Sequence, residues 1–87
     1  MSPSSSTYIS TATTTTVKSG SGILRRIVLT ETAASTITIY DNTAASGTIL
    51  AVLKASIAER PYDFNIRFQT GLTIVTAGTS KLTVVWE

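Results

Sequence analysis

Chemistry in this chain would have to come from its carboxylates and its basic side chains, because the sequence contains neither cysteine nor histidine. General acid–base catalysis usually recruits histidine or carboxylates brought together with matched pKa values, and ordinary structural zinc sites need cysteine or histidine. No spacing among the five acidic residues predicts a carboxylate pair. We therefore expect no catalytic residue, no metal site and no cofactor, in a protein that is not an enzyme. The five are Glu31, Asp41, Glu59, Asp63 and Glu87.

Short glycine-containing stretches give no phosphate-binding motif. The glycines of "SGSG" (19–22) and "SGTIL" (46–50) are isolated, and turn formation explains them better than a nucleotide loop. The stretch "YDNT" (40–43) lacks the repeated acidic pattern of a calcium loop. Asp41 is instead expected to bond the backbone of its own turn.

The length of 87 residues predicts one small domain with a marginal core. Small scaffolds usually gain stability from disulfides, a structural metal or oligomerisation, and without cysteine or histidine only oligomerisation remains. Seven basic residues against five acidic ones give a formal charge of +2, too little for a nucleic-acid footprint. No apolar run is long enough to cross a bilayer. We expect a homo-oligomer that binds neither nucleic acid nor membrane.

Threonine is the commonest residue, and together with valine and isoleucine it favours strands over helices. The expected fold is all-β: a small antiparallel β-sandwich, jelly-roll-like or immunoglobulin-like, with an extended N-terminal arm. The arm is residues 1–21, Ser/Thr-rich, with mobile residues at its very start. It is either an arm ordered by a partner or by an adjacent sheet, an edge strand, or a disordered tail. The sandwich domain is residues 22–87.

Along the whole chain, alternating apolar and polar residues and regularly spaced turns predict six or seven short strands. The segment 48–60 has a helix as its alternative, but the preceding turn favours a strand with Ile49, Ala51 and Leu53 on one face. Strands close in sequence are expected to pair antiparallel, including a hairpin over 71–87. In "PYDFNIRFQT" (61–70) apolar and polar residues alternate most regularly, which fixes the strand register.

Several exposed or paired side chains are candidate contacts to a partner. Arg25 and Arg26 are consecutive, so on a regular strand they point to opposite faces. One of them then meets a carboxylate on a partner, or lays its stem over apolar surface and reaches water. The full set of candidate contacts is Tyr8, Ile9, Arg25, Arg26, Arg60 and Tyr62.

The order of the segments resembles a group of small virion proteins of tailed bacteriophages. The likeness covers about residues 20–87, through "GILRRIVLTE", "STITIYDNTAASGTILAVLKA" and "PYDFNIRFQTGLTIVTAGTSKLTVVWE". The resemblance implies a non-enzymatic capsid decoration or cement protein, often trimeric, made in the host cytoplasm and bound to the major capsid protein on the virion surface. It carries over no catalytic motif, and the matched turn residues look structural.

Two other functions are alternatives. One is another virion component, in the tail, the fibre or the head–tail connection. The other is a carbohydrate-binding module, which requires at least two coplanar, exposed rings. Its candidate rings are Tyr8, Tyr40, Tyr62 and Trp86.

Overall fold

The computed structural model describes residues 5–87, so the predicted mobility of the very first residues lies largely outside the described part. Residues 5–87 form eight strands and two four-stranded antiparallel sheets, which confirms the all-β sandwich. The strands are β1 (Ser5–Ile9), β2 (Thr13–Ser19), β3 (Gly22–Glu31), β4 (Ile37–Asp41), β5 (Thr48–Leu53), β6 (Pro61–Phe68), β7 (Gly71–Thr76) and β8 (Lys81–Trp86). The segment after the 42–47 turn is thus a strand and not the alternative helix.

The strand order is that of a jelly roll. Sheet 1 has the order β1-β8-β3-β6, and sheet 2 has the order β2-β7-β4-β5. The pairs β1–β8, β2–β7, β3–β6 and β4–β5 make one long antiparallel ribbon whose tip is the turn after β4. Rolling this ribbon up brings β3 beside β8 and β4 beside β7. Of the two sandwich types expected from sequence, the structure has the jelly roll.

The expected pairing of sequence neighbours is therefore wrong for most of the chain. Among the strands of residues 5–87, β4 and β5 are the one pair of consecutive strands that are also neighbours in a sheet. The predicted hairpin over 71–87 is instead a crossing, because β7 lies in sheet 2 and β8 in sheet 1. The connections are short, but they pass over the core from one layer to the other.

The N-terminal segment also differs from the expected arm. β1 pairs with β8 at the edge of sheet 1, and β2 pairs with β7 at the edge of sheet 2. The described part of 1–21 is thus built into both layers of the sandwich, as the edge-strand alternative proposed. Threonine suits this place, because an edge strand of a sandwich can leave much of its surface in water.

The core lies between the two sheets and consists of aliphatic side chains and one phenylalanine. Buried threonines on both faces of β7 form hydrogen bonds: Thr73, on the outer face of sheet 2, donates to the carbonyl of Asn42 at 2.7 Å, and Thr76 donates to that of Thr11 at 2.6 Å. The hydroxyl groups of these two threonines are therefore hydrogen-bonded, as buried polar groups usually are. The buried apolar residues are Ile9, Leu24, Ile27, Leu29, Ile37, Ile39, Leu53, Phe68, Leu72, Ile74, Leu82 and Val84.

Candidate interaction surfaces

The two residues predicted as contacts on β1 lie on opposite sides of sheet 1. Tyr8 is 60% exposed on the outer face, whereas Ile9 is 4% exposed and belongs to the core. Alternation along the strand explains the difference. Ile9 is therefore inaccessible to a partner in this arrangement, and Tyr8 remains accessible.

A bulge in β3 makes the predicted orientation of the two arginines wrong. Register shifts against both β6 and β8 fall between Leu24 and Arg26, so Arg25 is the additional residue. Leu24 and Ile27, three positions apart, both reach the core, and both arginines between them lie away from it. A β-bulge inserts one residue and so reverses the alternation that follows it.

Both arginines meet carboxylates of their own chain. The Arg25 Nε donates a hydrogen bond to the carboxylate of Glu87, and the Arg25 Nη1 donates one to the side-chain oxygen of Asn65 at 3.2 Å. The Arg26 Nε lies 3.3 Å from an oxygen of Asp63, with both side chains more than half exposed. A partner carboxylate was one of two alternatives for one of these arginines; the structure instead pairs both arginines with carboxylates of the same subunit.

The remaining two predicted contacts flank Pro61. Arg60 is exposed, and its carbonyl accepts a hydrogen bond from the amide of Leu29 at 3.2 Å. Tyr62 is half-buried against the core, and its hydroxyl donates to the carbonyl of Ala58 at 2.6 Å. The structure therefore leaves Arg60 available on the surface and uses Tyr62 mainly for packing.

The outer face of sheet 1 carries charge. Besides the ion pair between Arg26 and Asp63, Lys81 Nζ lies 3.3 Å from the carboxylate of Glu31. Tyr8 is in register with Thr83 on this same face. This charged face can contact a polar partner surface through exchange of its exposed ion pairs.

The outer face of sheet 2 is uncharged. Cross-strand register forms two rows across all four strands, and each row combines threonine with apolar or aromatic residues. The rows are Thr14, Val75, Thr38 and Val52, and Thr16, Thr73, Tyr40 and Ile49.

Strand β5, at the edge of sheet 2, bears the most exposed large aliphatic side chains among residues 5–87. Ile49 is 53% and Val52 54% exposed. A bulge between the Ile39 and Tyr40 partners inserts Leu50, which packs toward the core. Because of that insertion, Ile49 and Val52 share the outer face, whereas the sequence pattern placed Ile49 with Ala51 and Leu53. We call Thr38, Tyr40, Ile49 and Val52 the neutral patch.

Asp41 has a partner that its local sequence did not indicate. Its carboxylate accepts hydrogen bonds from the backbone amides of Gln69 at 3.0 Å, Thr70 at 2.9 Å and Gly71 at 3.4 Å. The Thr70 amide lowers the pKa of Asp41 below its ordinary value, and the Gln69 and Gly71 amides lower it further, against a rise from partial burial. Asp41 thus holds the crossing from β6 to β7.

The turn after β4 is held locally by Asn42 instead of Asp41. The Asn42 side-chain amide donates to the carbonyl of Ser46 at 2.9 Å, and its oxygen accepts from the amide of Thr43 at 2.8 Å. The local bond predicted for Asp41 therefore belongs to its neighbour. Asparagine and aspartate both favour such turns, so type alone does not distinguish them.

A small open cavity of about 240 Å³ lies at the end of the sandwich near Gly22. Lys18 Nζ lies 3.5 Å from the carbonyl oxygen of Glu87 and 5.7 Å from the ring centre of Trp86. Arg67 also lines the cavity. Two cations and one carboxylate around an open space can attract a small anion or an acidic side chain, but they include no proton-transfer pair. Within residues 5–87 no group of acidic side chains is arranged to hold a metal ion.

The aromatic rings do not form the shared platform that a sugar-binding site requires. Tyr8 is mostly exposed on sheet 1, and Tyr40 is half-buried on sheet 2. Tyr62 and Trp86 pack against the core, and the Trp86 indole nitrogen donates to Thr7 at 3.4 Å. These positions disfavour the carbohydrate-binding alternative.

Comparison with known proteins identifies no family for this chain. No family model matches the chain, and no curated protein matches it. Within residues 5–87 there is also no helix of the length and apolar character that crossing a bilayer demands.

Proposed function

We propose that this chain is a non-enzymatic structural protein of a tailed bacteriophage, which binds the outer surface of the head shell as a homo-oligomer and stabilises it. The proposal rests on the resemblance of residues 20–87 to small phage virion proteins. It is also consistent with the jelly roll, an architecture that viral capsid domains use among others. Because one fold serves many functions, the argument depends on the surfaces of this chain more than on its fold.

The observation that carries the proposal is the chemical difference between the two faces of the sandwich. Sheet 2 presents the neutral patch, and sheet 1 presents exposed ion pairs such as Arg26–Asp63 together with Tyr8. A shell component needs two kinds of contact, one with its own copies and one with the shell. In our proposal the neutral patch contacts other copies of this chain, and the charged outer face of sheet 1 contacts the shell.

Decoration would act through the number of copies. A single contact by a subunit of this size is small, but oligomers bound at several points gain effective concentration without any new contact. Subunits that span neighbouring capsid proteins would then oppose their separation. Tyr8, Arg26 and Arg60 are the predicted contact residues best placed to reach the major capsid protein, because all three are exposed.

Quantitative mass spectrometry of purified virus particles tests this function directly. Particles are isolated from the host that carries the gene, and the copy number of this chain is measured relative to the major capsid protein. A ratio within a few-fold of the major capsid protein is expected, with extra density on the head surface in electron cryomicroscopy. A handful of copies per particle would instead support the tail or head–tail alternative. Absence from the particles would refute any virion function.

A further inference from the structure

Edge strand β5 has fewer of the features that protect an edge against pairing than edge strand β6 has. Natural sheets protect their edges with proline, charged residues, bulges or short strands. Edge strand β6 begins with Pro61 and carries Asp63 and Arg67, all exposed. Edge strand β5, "TILAVL", contains neither proline nor a charged residue.

The bulge of β5 does not hide this edge. It turns Leu50 inward and leaves Ile49 and Val52 together on the outer face. On its far side β5 has no strand neighbour among residues 5–87, so backbone groups of β5 are available along that side. The edge thus offers both hydrogen bonds and apolar surface.

We propose that β5 pairs antiparallel with β5 of a second copy of this chain, with the two neutral patches side by side. A second copy is the occupant that fits, because it brings an equally uncharged surface. A charged partner would lose hydration there without gaining an ion pair. A twofold axis perpendicular to the sheet relates the two strands antiparallel and keeps both neutral patches on the same face, which continues the pattern of sheet 2. The result is a continuous eight-stranded sheet.

The other free edge of sheet 2, strand β2, is a poorer match for β5 than the β5 strand of a second copy is. Edge strand β2 begins with four consecutive threonines and carries a register shift before Lys18. Joining β5 to that edge would set Ile49 and Val52 against hydroxyl groups. Association through β5 alone gives a dimer, and this oligomeric state differs from the trimer that the phage resemblance implies. The inference shares with the proposed function only the premise of self-association.

Lysine substitutions at the two exposed aliphatic residues test the surface. Ile49→Lys and Val52→Lys place a charge at the centre of the proposed contact and remove an aliphatic group. Each is expected to weaken the dimer by about ten- to hundredfold, as measured by sedimentation equilibrium. Tyr8→Lys is the matched control, since Tyr8 is comparably exposed but lies on sheet 1, and it is expected to leave dimerisation unchanged.

Single cysteines give a second measurement that does not depend on affinity. The chain has no cysteine of its own, so Val52→Cys and Tyr8→Cys each introduce one unique thiol. With a short bis-maleimide cross-linker, which adds to one thiol at each end, Val52→Cys is expected to form a covalent dimer and Tyr8→Cys to remain monomeric. Thermal unfolding of each variant confirms that it is folded.

The outcomes separate this inference from the proposed function. A monomeric wild-type chain, a trimer, or a dimer insensitive to both lysine substitutions would overturn pairing through β5. Loss of the dimer in Ile49→Lys and Val52→Lys, with Tyr8→Lys unaffected, supports it. The composition of virus particles tests the virion function independently of these variants. If the chain forms a β5 dimer but is absent from particles, the dimer proposal is supported and the virion function is refuted.

Discussion

The carboxylate of Asp41 is expected to contribute measurably to folding, because it fixes the β6–β7 crossing through three backbone amides. In Asp41→Asn the negative charge is lost, and the new amide group can turn a donor toward those amides. Hydrogen bonds to a charged group each contribute about 1.5–3 kcal/mol. The carboxylate lies near solvent, which reduces that contribution. We expect Asp41→Asn to lower the free energy of unfolding by about 1–3 kcal/mol at pH 7.

The pH dependence provides the sharper test. The pKa of Asp41 is lowered in the folded state relative to an unfolded value of about 3.9. Its stabilisation is therefore fully present above the unfolded pKa and is lost as the pH falls through the folded pKa. The difference between wild type and Asp41→Asn should stay constant from pH 7 down to the unfolded pKa of about 3.9 and shrink below it, as the pH falls through the folded pKa.

Urea unfolding across this pH range measures the difference, with Asp63→Asn as the control. Asp63 forms an exposed ion pair with Arg26, so the same chemical change there should cost less than about 1 kcal/mol. Equal losses in the two variants at pH 7, or a loss in Asp41→Asn that stays constant with pH, would refute the assigned role of the three amides.

Three further substitutions test the packing of the sandwich. Phe68→Ala removes the largest fully buried side chain and should lower the free energy of unfolding by about 3–5 kcal/mol, measured in urea; a loss under 1 kcal/mol would place Phe68 outside the core. Gly22→Ala would bring a Cβ within 2.7 Å of Phe68 Cζ, so the free energy of unfolding measured by calorimetry should fall by about 1–3 kcal/mol. An unchanged melting temperature would contradict this close approach. Tyr62→Phe removes only the hydrogen bond to Ala58, and thermal unfolding should show a change below about 1.5 kcal/mol; a larger loss would mean that the hydroxyl does more than bond this carbonyl.

Local sequence pattern predicted the strands well because alternation reflects burial within each strand. In β6 the apolar positions are half-buried or buried, and Asp63, Asn65 and Arg67 are exposed, as the pattern indicated. The hairpin β4–β5 was also predictable, since a turn rich in Asp, Asn and Gly joins two apolar runs. These features depend on neighbours within a few residues.

Features that depend on distant residues were not predictable from the pattern. Alternation shows which face of β7 is buried, but it does not say whether β8 continues the same sheet or crosses to the other. The bulges at Arg25 and Leu50 insert one residue without a distinctive residue type, and each reverses the faces predicted beyond it. The neutral patch depended on the second bulge, so sequence analysis assigned Ile49 to the wrong face.

The pairing of β1 with β8 and of β2 with β7 has a consequence for synthesis on the ribosome. The first two strands leave the exit tunnel long before their partners exist, and during that delay their edges are open to other nascent chains. Their serine and threonine side chains suit this delay, because hydroxyl groups keep an unpaired strand hydrated. The apolar strands β7 and β8 emerge late, when most of the layers that will cover them have already been made.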